Sequence, residues 1–551
     1  MKGRHYMHRF GLAAIALVAL VAAVFVGGGS ASTSASPKKG GQVVFGAEQE
    51  PPCLNGFLSG CNNTWTSWTV GTQYRGLYIQ KPDFSFVPDL AQSAKIVKAK
   101  PMTIAVKIKK QAVWSDGVPV TYQDFKYVWQ QEINPKNDVA SRSGYDSIKA
   151  ITPTSKDGKS FNVIFSKPFA PWKALFVNSL YPAHALNGQP DFNNVWLNDT
   201  NNPKTGKPIS DGPFTMTNYT KGQSMTFTAN PKWWGPHKPY LSKVVFVFRT
   251  NTDTEIQAIR GGEVDAIYPQ PQLQLVDLKG QPGLKIESNA GTTLEHLDFN
   301  EQLKGGMPLL RAPWFRQALA YAVNRQAVIT QIYKKFNPKQ QVLQNLTYGN
   351  SQKGLYVPHF QKYVFSPTKV ASIMTKHNCT KGSDGIWSCN GTKATIKYGT
   401  TTGNKLRELV QEIVQAQAKS AGIQFVTDND PSRLFFPRVS DGNYQIAMFA
   451  WVGTGDPFGQ TDIYGIGGGS NWKGYNSVKV TNLFKASDAE LNPTKRTALV
   501  NAADANMAAN VPTLPVVQKP TFLVYKTKIH GIRDNSTVQG PTDNMQDWWV
   551  G

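Results

Sequence analysis

The side chains best placed for covalent chemistry are the cysteines, which fall in two local pairs, Cys53 with Cys61 and Cys379 with Cys389. In an exported chain such pairs form disulfides, and the second frames CTKGSDGIWSC, whose Asp384-Gly385 turn brings the two ends together as a pinned hairpin. Neither pair has CxxC spacing or a histidine in ligand register, so no metal site and no cofactor is expected. The histidines beyond the amino-terminal segment, His184, His237, His296, His359, His377 and His530, never approach HExxH spacing and read as structural or surface groups. There is no GxSxG nucleophile elbow and no Walker loop; GIGGGS, Gly465 to Ser470, lacks the final glycine and the helix setting of a dinucleotide fingerprint. A glycosidase carboxylate pair carries no fixed spacing, so a secreted hydrolase stays as an alternative while a non-enzyme is expected.

The compartment that this cysteine chemistry needs is written at the amino terminus. Lys2, Arg4 and Arg9 precede an apolar run from Gly11 to Val26, and small residues from Gly27 to Ser36 follow, as in a signal peptide cleaved near Ala31 or Ala35. The apolar run is short for a membrane span, and residues 1–36 read as signal peptide and linker, with an uncleaved anchor as the alternative. The segment holds no cysteine, so lipid anchoring through an amino-terminal cysteine is not expected; the mature protein should be periplasmic or extracellular. The formal net charge is +23, but lysines such as Lys95, Lys107, Lys279, Lys362 and Lys479 are scattered without a basic-aromatic module, so no nucleic-acid partner is expected. The chain has 551 residues with 40% hydrophobic content and 14 tryptophans, enough for two or three well-packed domains and, in its aromatic load, for a binding cavity.

The elements that would position such a cavity alternate between strand and helix. Gln42 to Gly46, Met102 to Lys109, Phe161 to Ser166, Lys243 to Arg249 and Val264 to Tyr268 read as strands, with a helix over Thr252 to Arg260 closed by Gly261-Gly262. In the second half Glu295 to Asn300 predicts a strand and Trp314 to Tyr333 a helix entered from Pro313. Ala394 to Gly399, a helix over Asn404 to Ser420, Ile423 to Thr427 and the buried strand Tyr444 to Trp451 follow. A helix over Thr494 to Asn510 then leads to two strands, Thr513 to Val517 and Thr521 to Lys526. The fold class is α/β.

One run is distinctive. In WSDGVPVTYQDFKYVW, Trp114 to Trp129, Asp116-Gly117 marks a turn, Thr121 and Asp124 are set for a capping box, and Phe125, Val128 and Trp129 form the apolar stripe of a helix. Its wording resembles the signature of the bacterial extracellular solute-binding proteins of the dipeptide, oligopeptide and nickel class, receptors for ATP-binding-cassette importers. Further stretches resemble that family in the same order: Leu77 to Ser93, SDGPF with NPKWWG (Ser210 to Gly235), IRGGEVDAI (Ile259 to Ile267), WFRQALAYAVNRQAVI (Trp314 to Ile329) and VPTLPVV (Val511 to Val517). The likeness runs from Gly40 to the carboxyl end.

The resemblance implies a two-lobed periplasmic-binding-protein-like fold of type II, with an extra subdomain on the first lobe. Projected on this chain, lobe one is 40–75 plus 200–290 plus 515–551, the subdomain is 76–199, and lobe two is 291–514. It implies a monomeric receptor that encloses a small polar solute, most readily a peptide or peptide-like compound, and delivers it to a permease in the membrane. A sugar, opine or metal-chelate receptor of the same fold is the alternative. In peptide-binding relatives the loop equivalent to WVGTGDPFG, Trp451 to Gly459, supplies an aromatic wall and an aspartate for the peptide amine. Trp451 matches the wall, while the aspartate position falls on Gly453 or Thr454, both uncharged; Asp456 before Pro457 reads as a loop exit or cap, with ligand contact as the other reading. Trp65, Trp68, Asn471 and Tyr475 are the remaining candidates near the expected cleft.

Overall fold

Two long antiparallel strands, Leu284–Phe299 and Thr513–Lys526, run side by side through the middle of a ten-stranded sheet. The computed structural model describes residues 36–177, 180–272, 274–302, 304–453 and 459–551. The expected signal peptide, residues 1–35, lies outside them. On one side of the central pair the sheet continues through Ala266–Ile267, Gln42–Ala47, Lys243–Phe248, Ser224–Ala229 and Phe214–Thr220; on the other through Ile446–Val452, Thr395–Gly399 and Gln424–Thr427. A separate four-stranded antiparallel sheet, in the order Ala91–Ala99, Met102–Ile108, Ser160–Phe165, Ile148–Pro153, packs with the helix Tyr122–Ile133.

The central pair of strands serves two cores. Leu523 and Tyr525 join a core that includes Phe45, Phe246 and Trp548, whereas Leu297, Phe299, Leu514 and Val516 join one built with Leu319, Tyr398, Val410 and Met448. The register shifts between these halves, from Asn289 opposite Thr521 to Thr293 opposite Lys519, and shifts again between Glu295 and His296. Gly291 sits in the first irregularity at φ +64°, and a Cβ there would lie 2.0 Å from the Lys519 carbonyl oxygen, so only glycine fits.

That irregularity explains one departure from the sequence reading. Two strands, Thr513 to Val517 and Thr521 to Lys526, were expected, yet Thr513–Lys526 is continuous. Pro520 falls opposite the bulge and Pro515 pairs at the second shift, the positions where a residue without an N–H interrupts no regular ladder. The expected helix Trp314 to Tyr333 is instead two, Pro313–Ala322 and Arg325–Gln331. Asn324 accepts from Ala327 N at 2.9 Å and starts the second, while buried Arg325 donates to the carbonyls of Leu343, Pro515, Phe360 and Tyr363, each at 3.0 Å. The short strand Ala266–Ile267 stands where Val264 to Tyr268 was expected.

The distinctive corner folds as its residues require. Thr121 caps the helix Tyr122–Ile133, its N–H donates to Asp124 Oδ2 at 2.8 Å, and Asp124 Oδ1 accepts from Ala183 N at 2.9 Å. Both cysteine pairs are bonded, with Cα–Cα distances of 5.1 Å for Cys53–Cys61 and 4.2 Å for Cys379–Cys389, the latter closing the hairpin of Thr380–Lys381 and Trp387–Cys389. No helix of the described residues is long and apolar enough to cross a membrane.

Candidate ligand cleft

Where the two central strands pass between the cores lies a partly open cavity of about 360 Å³. Ligands of open α/β sheets lodge at such topological switch points, where loops leave the strand ends. Its walls come from both halves of the molecule. Trp65 and Trp68, on the helix Thr64–Thr69, pack edge to face at 5.2 Å, and Trp68 meets Tyr268 at 5.1 Å. Opposite stand Trp451, at the end of Ile446–Val452, and Trp472, with ring centroids 5.2 Å apart. The Trp451 Nε1 has no hydrogen-bond partner among the described residues.

The halves meet directly around the cavity. Ser59 Oγ donates to Gly469 O at 3.2 Å and Ser470 Oγ to Ala140 O at 2.9 Å. Asp462, on the helix Gln460–Tyr464, accepts from Ser141 Oγ at 2.5 Å, Ser143 N at 3.2 Å and Arg142 N at 3.4 Å. Burial, opposed by these hydrogen bonds, pushes the Asp462 carboxyl up to about 6. These contacts describe a closed cleft.

One end of the cavity is a buried charge network set on the crossing strands. Glu295 is fully buried and is gripped by Arg407, whose Nη2 lies 2.8 Å from Oε1 and whose Nε lies 3.1 Å from Oε2. Lys519 Nζ stands 3.1 Å from Glu295 Oε1 and donates also to Gln270 Oε1, while Gln270 Nε2 donates to Glu48. Burial alone would raise the Glu295 carboxyl, but Arg407 and Lys519 outweigh it and hold it at about 2. Glu48 is raised by burial, with Lys519 and Arg407 pulling it back. The Arg407, Lys519 and Glu48 side chains therefore offer charge and hydrogen bonds to a polar solute from a fixed frame.

The other end carries Glu132, from the last turn of Tyr122–Ile133, close to Asp462. Among the described residues no group comes together as a metal site.

Of the candidates read from sequence, Trp451, Trp65 and Trp68 line the cavity. Gly453 does not; its N–H donates to Thr292 O at 2.7 Å and a Cβ there would meet that oxygen at 2.9 Å, so it extends the backbone pairing. Thr454 and Asp456 lie outside the described residues. Asn471 and Tyr475 are corrected to supporting roles. The Asn471 amide donates to the carbonyls of Gly465 and Tyr475 and its oxygen accepts from Tyr475 N, which holds the loop; Tyr475 is buried in the core of Leu319 and Met448. The charged lining residues Arg407, Lys519, Glu48 and Glu132 were missed, and Glu295 was read only as the start of a strand. Glu132 did carry a signal: it occupies the same helical face as Phe125 and Val128, an acid where the stripe calls for an apolar residue.

The profile of the bacterial extracellular solute-binding proteins, family 5 (middle part), matches residues 85–474. The oligopeptide-binding protein OppA of Bacillus subtilis (strain 168) is 25% identical over 530 residues, covering 90% of this chain and 91% of that one. Among solved structures, the oligopeptide-binding protein AppA from Bacillus subtilis in complex with a nonapeptide superposes with a TM-score of 0.83 at 20% identity, covering 94% of this chain and 100% of that one. The periplasmic EDTA-binding protein EppA gives a TM-score of 0.81 at 23% identity, with 94% and 98% covered.

Proposed function

The chain belongs to the bacterial extracellular solute-binding proteins of family 5, and from that premise we propose that it captures a short peptide or peptide-like solute in the cleft and presents it to an ATP-binding-cassette importer. The observation that carries this reading is the cavity of about 360 Å³, walled by tryptophans from both halves and lined also by Arg407, Lys519, Glu48 and Glu132. Its volume is at the lower end of the roughly 300–1,000 Å³ common for small-molecule sites, which suits a solute of few residues. A ligand touching both walls favours the closed arrangement over an open one, and the permease reads the closed form.

A second reading, capture of a metal chelate or another polyanion, draws on the Arg407–Lys519 end of the cavity and on the structural likeness to an EDTA-binding protein. In either case the protein acts as a binding receptor without turnover, as an exported monomer not lipid-anchored through an amino-terminal cysteine, with no nucleic-acid partner. Its lobes divide as 40–75 plus 200–290 plus 515–551, with subdomain 76–199, against 291–514; the Phe45 and Leu319 cores support this division except at Val516 and Val517, which pack in the Leu319 core.

Native mass spectrometry of the gently purified protein, followed by thermal-shift screening of peptides, sugars and chelates, tests the function. A stoichiometric solute that raises the melting temperature and is recovered unchanged is expected. Steady turnover of a hit, abolished by one carboxylate substitution, would replace the receptor with a hydrolase.

A further inference from the structure

The helix Tyr122–Ile133 buries two carboxyl groups and treats them differently. Asp124 is supplied with donors, the N–H groups of Thr121 and Ala183. Glu132 shares the buried face with Phe125 and Val128, is 4% exposed, lines the cavity, and its Oε2 has no hydrogen-bond partner among the described residues. Burying an unpaired carboxyl is unfavourable by more than a packing role could repay, since an apolar side chain would fill the same place better. Asp462 lines the same cavity from the opposite half, and among the described residues its carboxyl hydrogen bonds come from Ser141, Arg142 and Ser143 rather than from Glu132.

We propose that Glu132, together with Asp462, is a subsite for a protonated amine of the solute. The inference rests on the cleft-receptor reading and narrows it to ligands that carry an ammonium group. Because Glu132 belongs to a helix of the Phe45 core and Asp462 to a helix packed in the Leu319 core, an ammonium between them ties the two halves together. A compact ammonium donates three hydrogen bonds from a single centre, which suits two carboxylates converging from different elements.

The groups around Glu132 fix the sign of the accompanying proton movement. Asp462 opposes its ionisation, Arg142 favours it while donating to Asn134 O and Asn137 O, and the Tyr145 and Tyr181 hydroxyls lie nearby; Asp146 opposes the ionisation of Asp462, and Asp462 that of Asp488. Burial first, and Asp462 second, push the Glu132 carboxyl well above the usual range. An arriving ammonium ionises it, and the displaced proton goes to solvent.

The test is calorimetry on the full-length exported protein with matched probes: trialanine against N-acetyl-trialanine, and glucosamine against glucose, each in phosphate and in Tris at pH 7. The amine member of at least one pair should bind at least about tenfold tighter and release a proton, seen as a buffer-dependent binding enthalpy. Glu132→Gln should remove both the preference and the proton release, with the melting temperature of the ligand-free protein not lowered. Equal binding within every pair, a preference unchanged in Glu132→Gln, or binding of no amine probe overturns the subsite. Proton release in the wild type needs no variant, so its absence on amine binding also overturns it. If acetylated peptide, glucose or EDTA binds while the amines do not, the subsite falls and the receptor reading stands; if no probe binds and no solute co-purifies, both fall.

Discussion

Trp451 and Glu295 stand on paired strands one register position apart, Trp451 opposite Leu294 and Glu295 opposite Ala450, yet one offers apolar surface to a ligand and the other a charge that never reaches one. Trp451 stands on the cavity wall against Trp472 and Phe449. Trp451→Ala should weaken solute binding by about 1 to 3 kcal/mol, roughly tenfold or more in Kd, with little change in melting temperature of the ligand-free protein; calorimetry reads the first and scanning calorimetry the second. Glu295 works through its neighbours. Its carboxyl is held at about 2 against an ordinary 4.5, so the stabilisation it contributes is fully present above pH 4.5 and is lost as pH falls from 4.5 toward 2. Glu295→Gln leaves Arg407 and Lys519 buried without their counter-charge and should destabilise the protein by about 3 to 5 kcal/mol at pH 7. Urea unfolding at a series of pH values should show the wild-type and variant curves converging below pH 4.5.

At the scale of elements, the crossing strands and the capped helix are what hold the cleft in shape. Gly291→Ala would place a methyl 2.0 Å from the Lys519 carbonyl oxygen at a positive φ, in a stretch that runs between the cores. The expected result is destabilisation of roughly 1 to 3 kcal/mol, together with weaker solute binding because Lys519 must move. A variant as stable as the wild type and binding as tightly would show that the bulge is dispensable. Thr121→Ala removes the cap from the helix that carries Glu132 and should lower stability by about 1 kcal/mol, measured by urea unfolding.

For the molecule as a whole, the disulfides and the closure are the measurable properties. A free-thiol count on the denatured, unreduced protein should be zero, and replacing Cys379 and Cys389 together by serine should reduce stability by about 2 to 4 kcal/mol through the freed loop. The direct contacts Ser59–Gly469, Ser470–Ala140 and Asp462–Ser141 join segments that an open form must separate. Small-angle X-ray scattering should therefore report a smaller radius of gyration with a bound solute than without it, and Asp462→Ala should shift the ligand-free protein toward the larger value.

Much of this architecture was set by local sequence. The corner at Thr121 and Asp124, the two cysteine pairs, the glycine-ended helix before Gly422 and the alternation of strand and helix follow from capping, turn and periodicity preferences that act over a few residues. Trp451 was legible through the likeness of its loop to the family's, and Trp65 and Trp68 as aromatics near the expected cleft, although both stand on the helix Thr64–Thr69 rather than in a loop. What the sequence could not decide is which distant charges face one another. Glu295, Arg407 and Lys519 are separated by more than a hundred residues at each step, and each taken alone is an ordinary strand or helix residue. Only the pairing of Leu284–Phe299 with Thr513–Lys526, and the bulge that carries Pro520 through the sheet, brings them to one point. The same holds for Glu132 and Asp462: a carboxyl becomes chemically distinctive through burial and neighbours, and both are properties of the packed chain.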